Sequence, residues 1–202
     1  MNEIFIVIDG IDGCGKTTQA KILKDYLENI GYKVFVASEP TKSEYGQKIK
    51  NILRRKEASS ITEKKWLELF TLDRKNNVQN IISELKQGKI VICDRYYYST
   101  LAYQLQEEEW QKYVRHFLKP DIAFILDIPA ETAVERVKEK YKITGQKKAY
   151  FEKLKILKKA RKKYLLLPNY LNDNIKIIDG KRSVRTIADD IKKEIDILIK
   201  NK

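Results

Sequence analysis

Residues 10–17, Gly10-Ile11-Asp12-Gly13-Cys14-Gly15-Lys16-Thr17, lie between an apolar run at 4–8 and a segment whose apolar residues recur at helical spacing. The stretch matches the pattern Gly-x-x-x-x-Gly-Lys-Ser/Thr in the strand–loop–helix context in which this pattern binds phosphate. Its backbone N–H groups can surround a polyphosphate at a helix N-terminus. The match predicts binding of ATP or GTP, with the Lys16 ammonium on the β- and γ-phosphates and the Thr17 hydroxyl on Mg²⁺. The predicted nucleotide-binding residues are Gly10, Ile11, Asp12, Gly13, Cys14, Gly15, Lys16, Thr17 and Thr18.

Short apolar runs recur along the chain and are separated by amphipathic segments. The runs, rich in β-branched residues, lie at 4–8, 33–37, 90–93, 122–126 and 175–178. Strands that alternate with helices predict an α/β fold with a five-stranded, mainly parallel sheet, here of the three-layer α/β/α type found in P-loop proteins. Neither a repeat nor a linker interrupts the pattern, so residues 1–202 are predicted to form a single domain.

Three helices are predicted from start and stop signals. The first covers 17–30. A capping box, Ser60-x-x-Glu63, is predicted to begin a long helix that Gly88 ends. Ser183 is predicted to cap the last helix. Because ligands of open parallel sheets bind beyond the carboxyl ends of the strands, the residues that follow each strand are the candidates for chemistry.

The positive charge of the chain is concentrated in one segment. The 202 residues contain 41 Lys and Arg against 28 Asp and Glu, a formal net charge of +13. Residues 136–163 alone hold thirteen basic and two acidic residues. Such a segment can bind nucleic acid or can be a solvated helical face.

Composition excludes several other classes of protein. No apolar run approaches the roughly 18 residues of a membrane span, and the N-terminus lacks the pattern of a signal peptide. Two cysteines form no disulfide framework, which favours a cytoplasmic location and no membrane partner.

A second motif indicates which class of nucleotide-binding protein this is. Asp94 and Arg95 follow a buried strand, at the position of a carboxylate that holds Mg²⁺ through water. The adjacent guanidinium can contact a phosphate through two parallel hydrogen bonds. A switch GTPase would carry an Asp-x-x-Gly motif directly after this strand and an Asn-Lys-x-Asp motif elsewhere. No Asp-x-x-Gly follows the strand, and Asn-Lys-x-Asp occurs nowhere in the sequence, so a small kinase is favoured.

The sequence resembles the thymidylate kinase family, whose members are P-loop nucleoside-monophosphate kinases. Its motifs occur in the family's order over nearly the whole chain. They are the phosphate loop at 10–18, Glu39-Pro40-Thr41, Leu69-Phe70-x-x-Asp73-Arg74, Asp94-Arg95-Tyr96, Ser99-Thr100-Leu101-Ala102-Tyr103-Gln104, Pro120-Asp121 and Leu126-Asp127.

The resemblance implies transfer of the γ-phosphoryl group of MgATP to dTMP, by a homodimer of the P-loop kinase fold. Two alternatives stay open. One is a kinase of another deoxynucleoside monophosphate, or of several. The other is a basic nucleic-acid-binding P-loop protein without kinase activity, although nucleic acid is the less favoured partner.

The resemblance also implies roles for the acceptor-site residues. Phe70 and Arg74 lie four apart on one helix face, where the ring stacks on thymine and the guanidinium bonds a ring oxygen. Tyr103 packs under the sugar and disfavours a 2′-hydroxyl. The implied substrate-binding residues are Glu39, Phe70, Arg74, Arg95, Thr100, Tyr103 and Gln104.

Catalysis is expected to depend on cations and metal rather than on a strong base. The implied catalytic residues are Asp12, Lys16, Arg95 and Arg136, and the metal ligands are Thr17 and Asp94. A mobile basic lid is expected at about 138–150. Because position 13 is glycine where other members carry arginine, the lid is expected to supply the missing cations from Lys142, Lys147 and Lys148.

Overall fold

A computed structural model describes residues 3–145 and 149–201. The strands are β1 Ile4–Asp9, β2 Val34–Ser38, β3 Ile90–Asp94, β4 Ile122–Asp127 and β5 Ile175–Asp179. The α-helices are α1 Lys16–Asn29, α2 Glu44–Leu53, α3 Glu63–Lys86, α4 Tyr97–Gln104, α5 Trp110–Val114, α6 Ala130–Thr144, α7 Leu154–Tyr170 and α8 Val184–Lys200. Short 3₁₀ helices lie at Lys56–Ser60, Glu107–Glu109 and Tyr150–Glu152.

All five strands are parallel, in the order β2-β3-β1-β4-β5. The pairing aligns Ser38 with Asp94, Ile8 with Asp94, and Asp127 with Asp179, so the carboxyl ends of the strands meet at one edge. Strand β1 is buried at every position, on both of its faces, because helices cover both faces of the sheet. The predicted five-stranded α/β fold is confirmed.

The helix boundaries confirm one cap prediction and correct another. The Ser183 hydroxyl accepts the backbone N–H of Thr186 at 3.1 Å and caps α8, as predicted. The capping box at Ser60 was wrong. Ser60 lies in a 3₁₀ turn and its hydroxyl donates to the Glu57 carbonyl, whereas the hydroxyl of Thr62 accepts the backbone N–H of Lys65 at 3.2 Å and caps α3. In the parts of the chain that the structure describes, no helix has both the length and the apolar character to cross a bilayer.

Candidate active site

The phosphate loop joins β1 to α1 at the carboxyl edge of the sheet, and two of its glycines are sterically required. A Cβ atom at Gly10 would stand 2.6 Å from the Leu126 carbonyl oxygen, and one at Gly13 would stand 2.7 Å from the Ala133 carbonyl oxygen. Both residues have positive φ, 140° and 84°. The loop is therefore held in its cradle shape by close backbone contact with β4 and α6.

Lys16 lies against the inside of this loop. Its Nζ atom donates to the carbonyls of Gly10 and Ile11, each at 3.0 Å, and stands 3.7 Å from the sulfur of Cys14. Cys14 is almost wholly buried, and burial raises the pKa of its thiol. The cysteine thus fills space beneath the loop as a neutral thiol, while the ammonium of Lys16 is fixed at the cleft.

Two oxygen ligands suitable for Mg²⁺ meet at the ends of α1 and β3. The Thr17 hydroxyl donates to the Asp94 carboxylate at 2.5 Å. Mg²⁺ prefers oxygen ligands and is commonly held by one or two protein oxygens together with water and substrate phosphates. The predicted pair fits that ion, and no cluster of three or more His, Cys, Asp or Glu suited to a metal occurs among residues 3–145 and 149–201.

Arg95 is held from two sides. Its Nη1 atom donates to the Ser99 hydroxyl at 2.8 Å, and its Nη2 atom makes an ion pair with Asp12. Burial opposes ionisation of Asp12, but the charges of Arg95 and Lys16 outweigh it and lower the pKa of that carboxyl. Arg95 is also the one non-glycine residue with positive φ in the described part of the chain, at 77°. Its guanidinium is therefore fixed in place rather than free to sample solvent.

Asp9, which sequence reasoning missed as a site residue, organises this region. It is fully buried and accepts the backbone N–H groups of Gly10 at 2.8 Å and Tyr96 at 3.0 Å. It also accepts the hydroxyls of Ser99 at 2.8 Å and Tyr164 at 2.9 Å. One carboxylate thus ties the phosphate loop, the segment that carries Arg95, and α7 together. Its position at the end of a buried strand was the available sequence signal.

A large cavity opens above the loop, and we call it the phosphate-loop cleft. Its volume is about 790 Å³. It is lined by the phosphate loop from Asp12 to Thr18, by Gln19, Glu39, Pro40, Asp94, Arg95, Arg136, Val137, Lys140 and Glu152, and by Gly180, Arg182, Val184 and Ile187. Arg136 reaches the Gly180 carbonyl at 3.4 Å, so it stands on the side of the cleft formed by the β5–α8 loop. Lys140, another basic residue of the segment 136–163, is a further cation of this cleft.

A second, smaller cavity of about 120 Å³ lies beside the cleft, and we call it the aromatic pocket. It brings together the predicted residues Phe70, Arg74, Arg95, Thr100, Tyr103 and Gln104. The rest of its lining consists of Asp12, Pro40, Leu53, Ser99, Ala149, Phe151 and Glu152. Four residues line both cavities and so form the boundary between the two, namely Asp12, Pro40, Arg95 and Glu152. The tyrosine oxygen of Tyr103 is buried without a hydrogen-bond partner within the described residues.

Arg74 reaches the aromatic pocket but is fully engaged by the protein. It donates to the Glu39 carboxylate at 2.6 and 2.9 Å, to the Thr100 and Tyr113 hydroxyls at 3.0 Å each, and to the Tyr96 carbonyl at 3.2 Å. Burial raises the pKa of Glu39, and the adjacent guanidinium opposes that shift. Glu39, predicted to bind substrate, lines the phosphate-loop cleft and fixes Arg74 rather than lining the aromatic pocket.

Comparison with known proteins identifies the family. A family model described as thymidylate kinase matches residues 8–191. A probable thymidylate kinase of Pyrococcus horikoshii is 38% identical over 200 residues, which cover 95% of both chains. A thymidylate kinase of Desulfotalea psychrophila is 35% identical over 200 residues, 96% of this chain and 95% of that protein. The chain belongs to the thymidylate kinase family. The resemblance drawn from the motifs is confirmed, together with the enzyme class of nucleotide-binding phosphotransferases.

Membership of the thymidylate kinase family bears on the two alternatives. Neither a kinase of other deoxynucleoside monophosphates nor a nucleic-acid-binding protein without kinase activity is favoured by the family model or by these relatives. A probable thymidylate kinase of Pyrococcus abyssi, 35% identical over 199 residues and 95% of both chains, agrees with the same family.

The basic segment divides into cations near the cleft and cations in solvent. Of the expected lid residues, Lys142 is exposed and lines neither cavity, while Lys147 and Lys148 lie outside the described residues. Arg161 of α7 pairs with Asp127 at 2.7 and 2.8 Å. The basic residues of the segment that are exposed and line neither cavity include Lys153, Lys155, Lys158, Lys159 and Lys162. Much of the charge is thus a solvated helix face.

Proposed function

We propose that the chain transfers the γ-phosphoryl group of MgATP to the 5′-phosphate of dTMP, giving ADP and dTDP. The observation that carries this proposal is the position of Arg95, which lines both the phosphate-loop cleft and the aromatic pocket. The triphosphate binds in the cleft and thymine in the pocket. The two phosphates then approach each other across Arg95.

The reaction needs positioning more than proton removal. An oxygen of the acceptor phosphate attacks the γ-phosphorus, the bond to the bridging oxygen of ADP breaks, and no general base is needed because that phosphate, with a second pKa near 6, is largely ionised at pH 7. Lys16 and Arg95 neutralise the charges of the two phosphate groups and hold them together. Asp12 orients Arg95 through their ion pair.

Mg²⁺ bound through Thr17 and Asp94 would supply charge neutralisation on the donor phosphates. Both side chains present hard oxygen atoms next to the loop, which supports this assignment. Arg136 and Lys140 supply cations from α6 on the opposite wall of the cleft. Arg136 contacts Gly180, and both residues line the phosphate-loop cleft but not the aromatic pocket. We therefore assign Arg136 to the donor nucleotide and not to the acceptor.

Selection of thymine falls to the aromatic pocket. Phe70 provides the stacking face, and Thr100 and Gln104 line the same cavity with polar groups. Arg74 bonds the base only by exchanging one of its present partners, so the nucleobase competes with Thr100 or Tyr113 for the same guanidinium. The ring of Tyr103 packs under the sugar and excludes a 2′-hydroxyl. The homodimer, the cytoplasmic location and the single domain with its lid stay predictions of the sequence.

The test is a panel of nucleoside monophosphates incubated with MgATP, with products separated by chromatography. We expect dTMP to give dTDP and ADP in equal amounts. Efficient use of several other deoxynucleoside monophosphates would replace dTMP by a broader acceptor class. The absence of a diphosphate product from every deoxynucleotide would contradict the kinase assignment, and salt-sensitive binding of oligonucleotides would then favour a nucleic-acid-binding protein.

A further inference from the structure

The 3₁₀ helix Tyr150–Glu152 forms one wall of the aromatic pocket. The ring of Phe151 lies 5.3 Å from that of Tyr103 and 6.3 Å from that of Phe70, measured between centroids. It also lies 5.2 Å from the ring of Trp66. Since Phe70 and Tyr103 are proposed to bind the base and the sugar, the position of Phe151 limits the space between them.

A hydrogen-bond cluster holds this short helix. The Tyr141 hydroxyl lies 2.6 Å from each oxygen of the Glu152 carboxylate. The backbone N–H of Ala149 donates to the same carboxylate at 2.6 Å. A three-residue turn has little stability of its own, so these contacts fix the orientation of the neighbouring Phe151.

Tyr141 belongs to α6, which packs against the phosphate loop. Ala133 of this helix stands so close to Gly13 that a Cβ there would not fit, and Val137 lines the phosphate-loop cleft. The contact between Tyr141 and Glu152 therefore connects a helix anchored at the triphosphate side to the wall of the aromatic pocket. Tyr141 falls within the range of the expected lid at about 138–150, but none of the motifs quoted for the nucleotide or acceptor site contains it.

Glu152 also faces both cavities, where phosphate groups are expected. Burial raises the pKa of its carboxyl, while the hydrogen bonds from Tyr141 and Ala149 oppose that shift. The Tyr141 hydroxyl and the Ala149 N–H therefore hold a carboxylate that lies between the two cavities in one orientation.

We propose that Tyr141 is a positioning residue which, through Glu152, holds Phe151 against the acceptor nucleotide and so sets the affinity for dTMP. The inference rests on the proposed function for the identity of the acceptor. It adds a residue of α6 to the acceptor site, although Tyr141 lines neither cavity itself.

The first measurement compares Tyr141→Phe with Tyr150→Phe. The first change deletes the hydroxyl that binds Glu152, and we expect the KM for dTMP to rise about tenfold, with the KM for ATP and kcat within about twofold. Tyr150→Phe is the matched control, because its hydroxyl makes no hydrogen bond within the described residues although its ring lies 5.2 Å from that of Phe151. Calorimetric titration with dTMP alone should give the same difference in Kd.

The second measurement repeats Tyr141→Phe in a Phe151→Ala background. If Tyr141 acts through Phe151, its substitution should change the Kd for dTMP by less than about twofold there. An equal rise in both backgrounds, an unchanged Kd in Tyr141→Phe, or an equal rise in the ATP and dTMP constants would each overturn the proposal. A wild-type chain that forms no dTDP contradicts the proposed function instead, so the two failures are distinguishable.

Discussion

The phosphate-loop cleft and the aromatic pocket are adjacent but are built in different ways. The cleft, of about 790 Å³, is formed around backbone N–H groups, two sterically required glycines and cationic side chains. The pocket, of about 120 Å³, is formed by aromatic rings and by Arg74, which a buried ion pair with Glu39 holds in place. Backbone and charge recognise any triphosphate, whereas packed rings recognise one shape. We therefore expect the acceptor site to be more selective than the donor site, and four sets of variants test this difference.

Lys16→Ala should have the largest effect. The change removes the ammonium group that the Gly10 and Ile11 carbonyls hold inside the phosphate loop. We expect kcat to fall by at least about 10²–10³-fold, because this cation neutralises phosphate charge in the transition state. The measurement is steady-state turnover with saturating MgATP and dTMP. Lys21→Ala, an exposed lysine of the same helix, is the control and should leave turnover intact. Retained activity in Lys16→Ala would show that the loop takes no part in phosphoryl transfer.

Arg74→Ala should affect the acceptor much more than the donor. We expect the KM for dTMP to rise about 10–100-fold and the KM for ATP to change less than about threefold. The change also leaves the buried Glu39 carboxylate without its cation, which should lower the free energy of unfolding by about 3–5 kcal/mol. Kinetics and denaturant unfolding measure the two effects.

Lys75→Ala is the matched control for Arg74, because it removes an exposed cation from the next position of α3. It should change neither KM nor stability by a measurable amount. If Arg74→Ala raised the KM for ATP more than that for dTMP, the base would bind in the other cavity and the comparison would be reversed.

Tyr103→Ala should relax discrimination against a 2′-hydroxyl. The tyrosine oxygen is buried and the ring packs 5.3 Å from Phe151, so truncation opens space where the sugar is expected. We expect the ratio of kcat/KM for dTMP to that for ribothymidine monophosphate to fall about tenfold. Tyr32→Ala, at an exposed tyrosine, should leave the ratio unchanged. The same ratio in both variants would remove Tyr103 from sugar selection.

Substitution of exposed α7 lysines should have the smallest effect. We expect the triple change Lys155→Gln, Lys159→Gln and Lys162→Gln to leave both kcat/KM values within about twofold, because these solvated side chains lie outside both cavities. Lys140→Gln is the matched comparison, since Lys140 lines the phosphate-loop cleft, and it should raise the KM for ATP severalfold. A tenfold loss in the triple variant would show that the outer face of α7 also serves the nucleotide.

The local signals of the sequence were sufficient for the loop and the strands. The Gly10 to Thr17 pattern and the buried runs predicted the sheet and the cleft, because both depend on short stretches of chain. Long-range contacts could not be predicted in this way. Asp9 and Tyr164 bond across 155 residues, and no local pattern indicates such a partner. Ser60 shows a different failure, since its match to the capping-box pattern lies two residues before Thr62, which caps the helix.

The acceptor site shows the same limit in the role of Arg74. Helical spacing with Phe70 correctly placed the guanidinium at the pocket, but its five hydrogen bonds go to four residues outside α3, which no local pattern indicates. Phe151 and Glu152 reach the pocket from beyond α6, and no local sequence pattern distinguishes them. Side chains that act by packing are therefore visible only once the fold has brought them together.

The difference in selectivity between the acceptor site and the donor site is tested most directly by assaying several donors against several acceptors. Wild-type protein is assayed with ATP and GTP, each paired with dTMP, dCMP and dGMP, and kcat/KM is determined for every pair. The account predicts that changing the acceptor base lowers kcat/KM at least about 10²-fold, while changing the donor base alters it by less than about tenfold. Equal use of all three acceptors combined with strict dependence on ATP would contradict it.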